Sequence, residues 1–212
     1  NPYDPHPPFI PPKSYADQFD PQSMPGPYFR DSDLAQQQTL QNTDFQTKGR
    51  HPDELGGKRI QALYYAMIAQ IDDQFARILQ ALEETGQRDN TVIIFTSDHG
   101  DCLTDHGHSQ KWTMYDLILR VPLIAWAPGR YPAGVEIDGL CQHMDVGPAM
   151  LELAGLEPAA SLEAISLGAA LEGRDWTPRP FVYAEHGKDA ILQGTEFVTM
   201  VRDERWKLVH FL

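Results

Sequence analysis

Four side chains occur in contexts that suit metal-assisted chemistry on an anionic group: His6, Asp98, His99 and Lys111. Asp98 offers a hard carboxylate oxygen and His99 an imidazole nitrogen, and together these suit a divalent cation. Lys111 carries a point charge that can bind an anionic oxygen. Prolines on both sides of His6 can hold its imidazole at a cleft wall, as a proton donor to a leaving oxygen.

Each of these residues also has a structural interpretation. Asp98 and His99 can satisfy loop amides, Lys111 can be a solvated surface lysine, and His6 can be an exposed loop histidine. Residue type and position alone leave both interpretations open.

Two further histidines lie in the loop that leads to the lysine, in the stretch Asp105-His106-Gly107-His108. Either His106 or His108 could orient a ligand from outside the first coordination sphere. The alternative for both is that they face water.

The elements around these residues predict a buried strand that presents the metal pair. Residues 58–85 carry apolar side chains at spacings of three and four and predict a long amphipathic helix that Gly86 ends. The run 91–96 is apolar on both faces, which suits a strand of a parallel sheet covered by helices. Asp98 and His99 follow its carboxyl end, where open α/β sheets bind ligands, and Gly100 permits a turn that aims both at one ion.

The rest of the chain predicts a second strand at 121–126, a helix at 145–154 and then antiparallel strands. Asp145 is the expected N-cap and Gly155 the expected stop of that helix, and Ser166 is expected to cap a shorter one that ends near Gly173. Strands are predicted at 181–185, 197–201 and 206–211, the last two joined by a turn at 203–204. Residues 1–30 predict an irregular proline-rich segment, and residues 31–57 a polar surface excursion.

Composition excludes some partners and leaves others open. The formal net charge of −13 argues against nucleic acid and anionic membranes, which favour clustered lysine and arginine. No apolar run reaches the roughly 20 residues of a membrane-spanning helix. Cys102 and Cys141 have no metal-ligand spacing, and a disulfide between them is not expected. Compartment and oligomeric state stay open.

Taken in order along the chain, these motifs resemble the sulfatase family of the alkaline phosphatase superfamily, including arylsulfatases and phosphonate monoester hydrolases. The similar segments are the proline-histidine loop 5–9, the helix-then-strand unit ending in Thr96-Ser-Asp-His-Gly100, the segment His106-Gly107…Lys111…Tyr115-Asp116, the strand 120–124, the helix 145–155 and the late strand 205–208.

The resemblance implies an α/β fold, part of an alkaline-phosphatase-like sandwich with a mostly parallel sheet, followed by a small antiparallel α+β subdomain. The expected division places residues 1–175 in the catalytic domain and 176–212 in the subdomain. It implies Asp98 and His99 as ligands of one divalent metal ion, Lys111 on the sulfuryl or phosphoryl oxygens, and His6 beside the leaving oxygen. His106 would support the site from the second shell. The implied substrate is a small sulfate, phosphate or phosphonate ester.

Two departures from the family pattern shape these expectations. The chain has no C-x-P-x-R or S-x-P-x-R motif, so the formylglycine nucleophile and the early acidic strand are expected upstream of Asn1, and the chain is expected to be a fragment. Neither Cys102 nor Cys141 replaces the nucleophile. A histidine beside Asp98 favours manganese or zinc over calcium and also resembles the phosphonate hydrolases. Three functions therefore stay open: sulfate-ester hydrolysis, phosphonate monoester or phosphodiester hydrolysis, and an inactive relative that binds a metal or a partner.

Overall fold

The computed structural model describes residues 2–36, 49–187 and 196–212, and these form two compact units. The first unit takes in Asn1–Arg88, His99–Arg120 and Lys188–Glu196, as far as these are described. The second takes in Asp89–Asp98, Val121–Gly187 and Phe197–Leu212. The predicted division at residue 175 follows other criteria and stays a prediction.

A 28-residue helix, Gly57–Glu84, is the main element of the first unit, and the described residues of this unit also form four short α-helices. In chain order these helices are α1 (Lys13–Ala16), α2 (Asp31–Gln36), α3 (Pro52–Leu55), α4 (Gly57–Glu84) and α5 (Asp116–Leu119). Helix α4 confirms the predicted helix, and Gly86 ends it at φ 66°, while the amide of Gln87 bonds the carbonyl of Leu82 at 2.9 Å.

The proline-rich N-terminal segment is held against α4 by aromatic contacts. Phe9 meets Tyr64 edge-on with ring centroids 6.0 Å apart, and Phe19 meets Tyr65 in the same manner at 6.1 Å. Prolines lack a backbone N–H, so this segment forms few regular hydrogen bonds, and these ring contacts hold it in place instead. The segment is therefore fixed on the long helix although it is mostly irregular, as predicted.

The segment predicted as a polar surface excursion contains structure in its described parts. Helices α2 and α3 lie within it, and Asp33 on α2 is only 8% exposed. Asp33 is the buried exception on a helix whose Asp31 and Ser32 are exposed, because a carboxylate with protein partners can be buried and the composition of the segment does not reveal those partners. Gln37 and Gln38 lie outside the described residues.

The two strands β1 (Ile93–Thr96) and β2 (Leu123–Trp126) lie where the sequence predicted strands, in the second unit. They pair antiparallel, with Ile94 opposite Ala125. Phe95 and Ile124 are 38% and 58% exposed. The predicted parallel neighbour and two-sided burial are therefore wrong for this pair, because apolar composition indicates which faces can be buried but does not encode strand direction.

Helices α6 (Val146–Leu153) and α7 (Gly168–Leu171) follow β2. Gly155 ends α6 at φ 73°, and Ser166 Oγ accepts the amide of Gly168 at 3.0 Å, so both signals are confirmed. Asp145 stands at the N-cap position but makes no capping bond to the helix. That part of the prediction is wrong, because the Asp145 carboxylate accepts the Arg179 guanidinium and the amides of Gln142 and Ile165 instead.

A three-stranded antiparallel sheet closes the chain, with β3 (Val182–Gly187), β4 (Phe197–Arg202) and β5 (Lys207–Phe211) in sequence order. Strands β4 and β5 form the predicted hairpin, with Met200 opposite Val209. Asp203 holds the turn, because its carboxylate accepts the amides of Arg205 and Trp206. No described helix is long and apolar enough to cross a membrane.

Candidate active site

Lys111 and His6 lie together in the first unit, although 105 positions separate them in the chain. The Lys111 Nζ is 3.0 Å from His6 Nε2, and His6 Nδ1 is 2.7 Å from the carbonyl oxygen of Pro7. An ammonium only donates and a carbonyl only accepts. His6 is therefore a neutral imidazole with its proton on Nδ1, and its Nε2 accepts from Lys111.

Aromatic rings lie on both partners of this pair. The ring of Tyr3 packs against His6 at 4.7 Å, and the Tyr3 hydroxyl donates to the same Pro7 carbonyl at 3.4 Å. The Lys111 Nζ lies 5.7 Å from the centre of the Trp112 ring, within cation–π range. Two of these neighbours come from the proline-rich loop, which explains why a segment without regular structure has a fixed position at the site.

The predicted metal pair consists of consecutive residues at the point where the second unit passes into the first. Asp98 is exposed and its Oδ1 lies 3.5 Å from Ser97 Oγ. His99 Nδ1 donates to the carbonyl oxygen of Gly100 at 2.7 Å. This bond leaves the ring lone pair on Nε2, the arrangement of a metal-binding histidine whose other nitrogen is fixed by a carbonyl.

Gly100 has a different role from the one predicted. A Cβ atom at this position would lie 1.9 Å from the carbonyl oxygen of Leu117, and the Gly100 amide donates to the carbonyl of Ile118 at 2.8 Å. Glycine is required because two backbone segments approach closely, and a left-handed turn is not involved. The contact fixes the backbone directly after His99.

The donor set fits a divalent ion only in part. A carboxylate and an imidazole are ligands that manganese and zinc accept. Among the described residues, however, no group of three or more histidine, cysteine, aspartate and glutamate side chains is placed to hold a metal. If both bind an ion, Asp98 and His99 would supply two donors, fewer than the three or four protein ligands that zinc takes.

Asp101 lies near His99 and His6, and the sequence interpretation gave it no role. Its Oδ1 accepts the Leu103 amide at 2.8 Å, and the amide of Gln110 also bonds the carboxylate. Burial raises the pKa of the Asp101 carboxyl above its usual range, against the lowering effect of these amides and of the rings of His99 and His6. The signal was an aspartate two residues before an amide that it caps, an arrangement typical of Asx turns.

His106, predicted to act from the second shell, is engaged by protein groups in the first unit. Its Nδ1 is 3.3 Å from Asp33 Oδ2, and its ring stacks on Tyr115 at 4.0 Å with 9° between the planes. The His106 amide donates to the carbonyl of Tyr28 at 2.7 Å. Asp33 and Tyr115 were not predicted as its partners, because no local spacing connects them to it.

His108 does not face water, so that alternative is wrong for this residue. It is 1% exposed, and neither ring nitrogen has a hydrogen-bond partner among the described residues. Burial lowers the pKa of His108 to about 4, and the nearby His106 adds to this effect while Asp33 opposes it. His108 is therefore a neutral core imidazole.

Cys102 and Cys141 are not joined by a disulfide. Both are free thiols. Cys102 is fully buried, and burial raises the pKa of its thiol far above the ordinary value, while burial also raises the pKa of Cys141. Asp101 and Asp105 raise the pKa of the Cys102 thiol further, and at Cys141 the charge of Asp145 opposes the lowering effect of Arg179, so neither thiol readily forms a thiolate.

Comparison with known proteins places the chain in a family. The profile of the sulfatase family matches residues 2–156, and that of the N-sulphoglucosamine sulphohydrolase C-terminal region matches residues 104–212. The chain belongs to the sulfatase family, whose members are generally metal-dependent hydrolases.

Three relatives show the range of the likeness. An arylsulfatase of Clostridium perfringens is 32% identical over 88% of this chain and 40% of its own. An N-acetylglucosamine-6-O-sulfatase of Bacteroides thetaiotaomicron is 32% identical over 70% and 27%. The structure of a phosphonate monoester hydrolase of Agrobacterium radiobacter, 31% identical, superimposes with a TM-score of 0.84 over 98% of this chain and 47% of its own. The fold class expected from the resemblance is confirmed, and the chain spans less than half the length of these relatives.

Proposed function

We propose that the protein carrying this chain hydrolyses sulfate esters, with a divalent ion bound in part by Asp98 and His99. The observation that carries the proposal is the 3.0 Å contact between Lys111 and His6 in a chain of the sulfatase family. The fold brings a cation and an imidazole together although 105 positions separate them, and hydrolysis of an anionic ester requires both a cation and a proton donor. A bound metal ion would act as a Lewis acid on the transferred group, and a formylglycine nucleophile is expected outside this chain.

Lys111 has the charge to stabilise a sulfuryl oxygen as negative charge develops on it. Its ammonium carries three protons, so one bond to His6 leaves two for substrate oxygens. The Trp112 ring lies within cation–π range of the ammonium, with 5.7 Å between Nζ and the ring centre. The partner expected for this site is therefore a small sulfate ester.

His6 is positioned to supply a proton to the leaving oxygen from Nε2. Its Nδ1 proton is committed to the Pro7 carbonyl, so proton exchange takes place on the nitrogen that faces Lys111. The Tyr3 ring keeps the imidazole plane from turning away. When a substrate oxygen takes over the Lys111 N–H, Nε2 takes a proton from solvent, and the imidazolium returns that proton to the departing alkoxide or phenoxide.

A specific observation favours phosphonate monoester hydrolysis as a second candidate. The phosphonate monoester hydrolase structures of Agrobacterium radiobacter and Silicibacter pomeroyi both superimpose with TM-scores of 0.84. The paired Asp98 and His99 also suit a metal with a nitrogen preference. Lys111 serves either reaction, because a phosphonate monoester presents the same anionic oxygens.

To test the proposal, the complete reading frame that contains this chain is expressed, and the metal content of the purified protein is measured. Its kcat/KM is then determined for 4-nitrophenyl sulfate and 4-nitrophenyl phenylphosphonate. A higher kcat/KM on the sulfate supports sulfate-ester hydrolysis, and the reverse order supports the second candidate. Bound metal without turnover of either ester would favour an inactive, metal-binding relative.

A further inference from the structure

The loop between Asp101 and Lys111 has a backbone that requires outside restraint. Four residues with a Cβ atom adopt positive φ in it: Leu103 at 45°, Thr104 at 73°, His106 at 55° and Gln110 at 62°. Left-handed geometry is unfavourable for such residues. It persists where surrounding contacts over-determine it, and such positions cluster at functional sites.

Contacts to the tip of the loop come from other parts of the first unit. Asp105 Oδ1 accepts the Tyr28 amide at 2.9 Å, and the Arg50 amide donates to the carbonyl of Gly107 at 2.8 Å. A Cβ atom on Gly107 would lie 2.6 Å from the Arg50 carbonyl oxygen. These contacts fix the far end of the loop but do not reach the residue that precedes Lys111.

The base of the loop is closed by Asp101. Its carboxylate accepts the Leu103 amide at 2.8 Å on the outgoing side and bonds the Gln110 amide on the returning side. Beside it, the Cys102 amide donates to the Gln110 carbonyl at 2.8 Å. Asp101 thus joins both ends of a loop whose last residue, Gln110, is itself left-handed and directly precedes Lys111.

We propose that Asp101 is a positioning residue that holds the Lys111 ammonium on His6 Nε2 by closing this loop, an inference that rests on the proposed function. If the Gln110 amide loses its acceptor, the left-handed Gln110 keeps, among the described residues, only the Cys102 bond to its carbonyl and the Trp112 bond to its side chain, and neither of these fixes the direction of its N–H. The direction of the chain into Lys111 then changes, and the 3.0 Å contact to His6 is lost.

Substitutions can separate this role from a loss of side-chain volume. Asp101→Ala removes both acceptors. Asp101→Asn keeps a single carbonyl oxygen, while its amide nitrogen only donates and cannot replace the second acceptor. Asp203→Ala is the matched control, because Asp203 also accepts two backbone amides two and three residues ahead but does so in the β4–β5 turn of the second unit.

The first measurement is independent of turnover. The complete protein is labelled with ¹⁵N-histidine, the His6 signals are assigned with His6→Gln, and the Nε2 shift is recorded at one pH. We expect Lys111→Ala to move the His6 Nε2 signal, Asp101→Ala to move it to the same position, and Asp203→Ala to leave it in place. The His6 Nε2 signal of a folded Asp101→Asn variant is expected to lie between those of the wild type and Lys111→Ala. This variant tests the proposal if Asp101→Ala does not fold. A wild-type Nε2 shift in the Asp101 variants would overturn the proposal.

The second measurement is a double-mutant cycle on kcat/KM with the better of the two esters. Asp101→Ala is expected to lower kcat/KM by about 10²-fold, the order that misplacing a reacting group by about 1 Å produces. In the Lys111→Ala background the same substitution is expected to cost less than about threefold, because the group it positions is gone. Equal losses in both backgrounds would contradict the proposal. If the wild-type protein turns over neither ester, the proposed function fails, and the histidine signal still decides the role of Asp101.

Discussion

Lys111 and His6 are held in one protonation arrangement by groups that can only donate or only accept. The Pro7 carbonyl accepts a hydrogen bond from Nδ1–H of His6, and the ammonium of Lys111 donates one to Nε2. The resting site is therefore a neutral imidazole beside a cation, ready to receive an anion. In the proposed reaction this arrangement separates two roles, charge stabilisation by Lys111 and proton donation by His6.

Replacing Lys111 by alanine is expected to impair chemistry while leaving metal content intact. Loss of one donor to a developing oxyanion lowers kcat by about 10²–10³-fold in well-studied sites. We expect a fall of that order for the complete protein on 4-nitrophenyl sulfate, with unchanged metal per protein by mass spectrometry. Loss of metal in Lys111→Ala would show that the lysine supports the ion.

Replacing Asp98 by asparagine is expected to lower both metal content and turnover. A carboxylate ligand carries the charge that compensates a divalent ion, and an amide oxygen does not. The measurement is metal stoichiometry after dialysis together with kcat. Asp89→Asn, the same substitution at an exposed aspartate of the second unit, serves as the control. Full metal occupancy in Asp98→Asn would remove this residue from the ligand set.

His108 predicts a pH dependence of stability. An exposed imidazole has a pKa of about 6.5 and the folded value is about 4, so between these values only the unfolded chain binds the proton. The free energy of unfolding should therefore fall as pH drops from about 6.5 to 4, by roughly 3 kcal/mol in total.

Urea unfolding of the complete protein at a series of pH values tests this expectation. His108→Gln should reduce the slope in that window by about 1.4 kcal/mol per pH unit, the value for one proton. His210, on the exposed part of β5, provides the control substitution. Identical slopes for the wild type and His108→Gln would show that His108 is not held neutral by burial.

At the scale of elements, the long helix, the strand positions and the terminal hairpin follow from the sequence. The spacing of three and four along α4 and the stop at Gly86 are local patterns, so they predict bounds closely. Pairing direction is different, because β1 and β2 carry the same apolar residues that a parallel pair would carry. The sequence shows where Gly100 and Asp101 stand relative to the predicted strand, but it does not show what they do. Their contacts are with Leu117 and Gln110, which no short-range pattern connects to them.

Asp145 shows why capping rules fail where a stronger partner exists. Its carboxylate is fully buried and accepts Arg179 Nε at 2.8 Å, the Gln142 amide at 2.8 Å and the Ile165 amide at 2.8 Å. Burial by itself would raise the pKa of Asp145, but these bonds and the guanidinium hold it below its usual range. The sequence predicts a cap, whereas the structure uses the residue to join three segments of the second unit.

Breaking this ion pair is expected to destabilise the protein strongly. Removing one partner of a buried pair leaves an uncompensated charge and costs about 3–5 kcal/mol. Asp145→Ala should lower the free energy of unfolding by that amount in urea, and Arg179, which is 13% exposed at its side chain, should respond similarly to Arg179→Ala.

The double variant Asp145→Leu with Arg179→Met is the control, because apolar replacement of both members removes the unpaired charge. It should recover part of the stability lost in each single variant. Losses that simply add would show that the two side chains do not act as a pair.

At the scale of the whole molecule, net charge and surface character have different consequences. A net charge of −13 disfavours anionic ligands at long range, so an anionic ester depends on local cations such as Lys111. The surface also exposes large apolar side chains, at the end of α4, on β1 and β2, and on the terminal sheet: Ile78, Phe95, Ile124, Trp206 and Leu208. Apolar side chains on exposed strands favour association between copies.

The 212-residue chain on its own is therefore expected to self-associate. Ile124 on β2 is 58% exposed and Ile78 on α4 is 56% exposed, so each leaves much apolar area in water. Sedimentation velocity should show oligomers that grow with concentration, and Ile124→Glu with Ile78→Glu should raise the monomer fraction. The matched control is Thr199→Glu on β4, which adds charge without removing an apolar group. A monomer with one cooperative thermal transition in the unmodified chain would contradict the expectation, because it would show that these faces are tolerated in water.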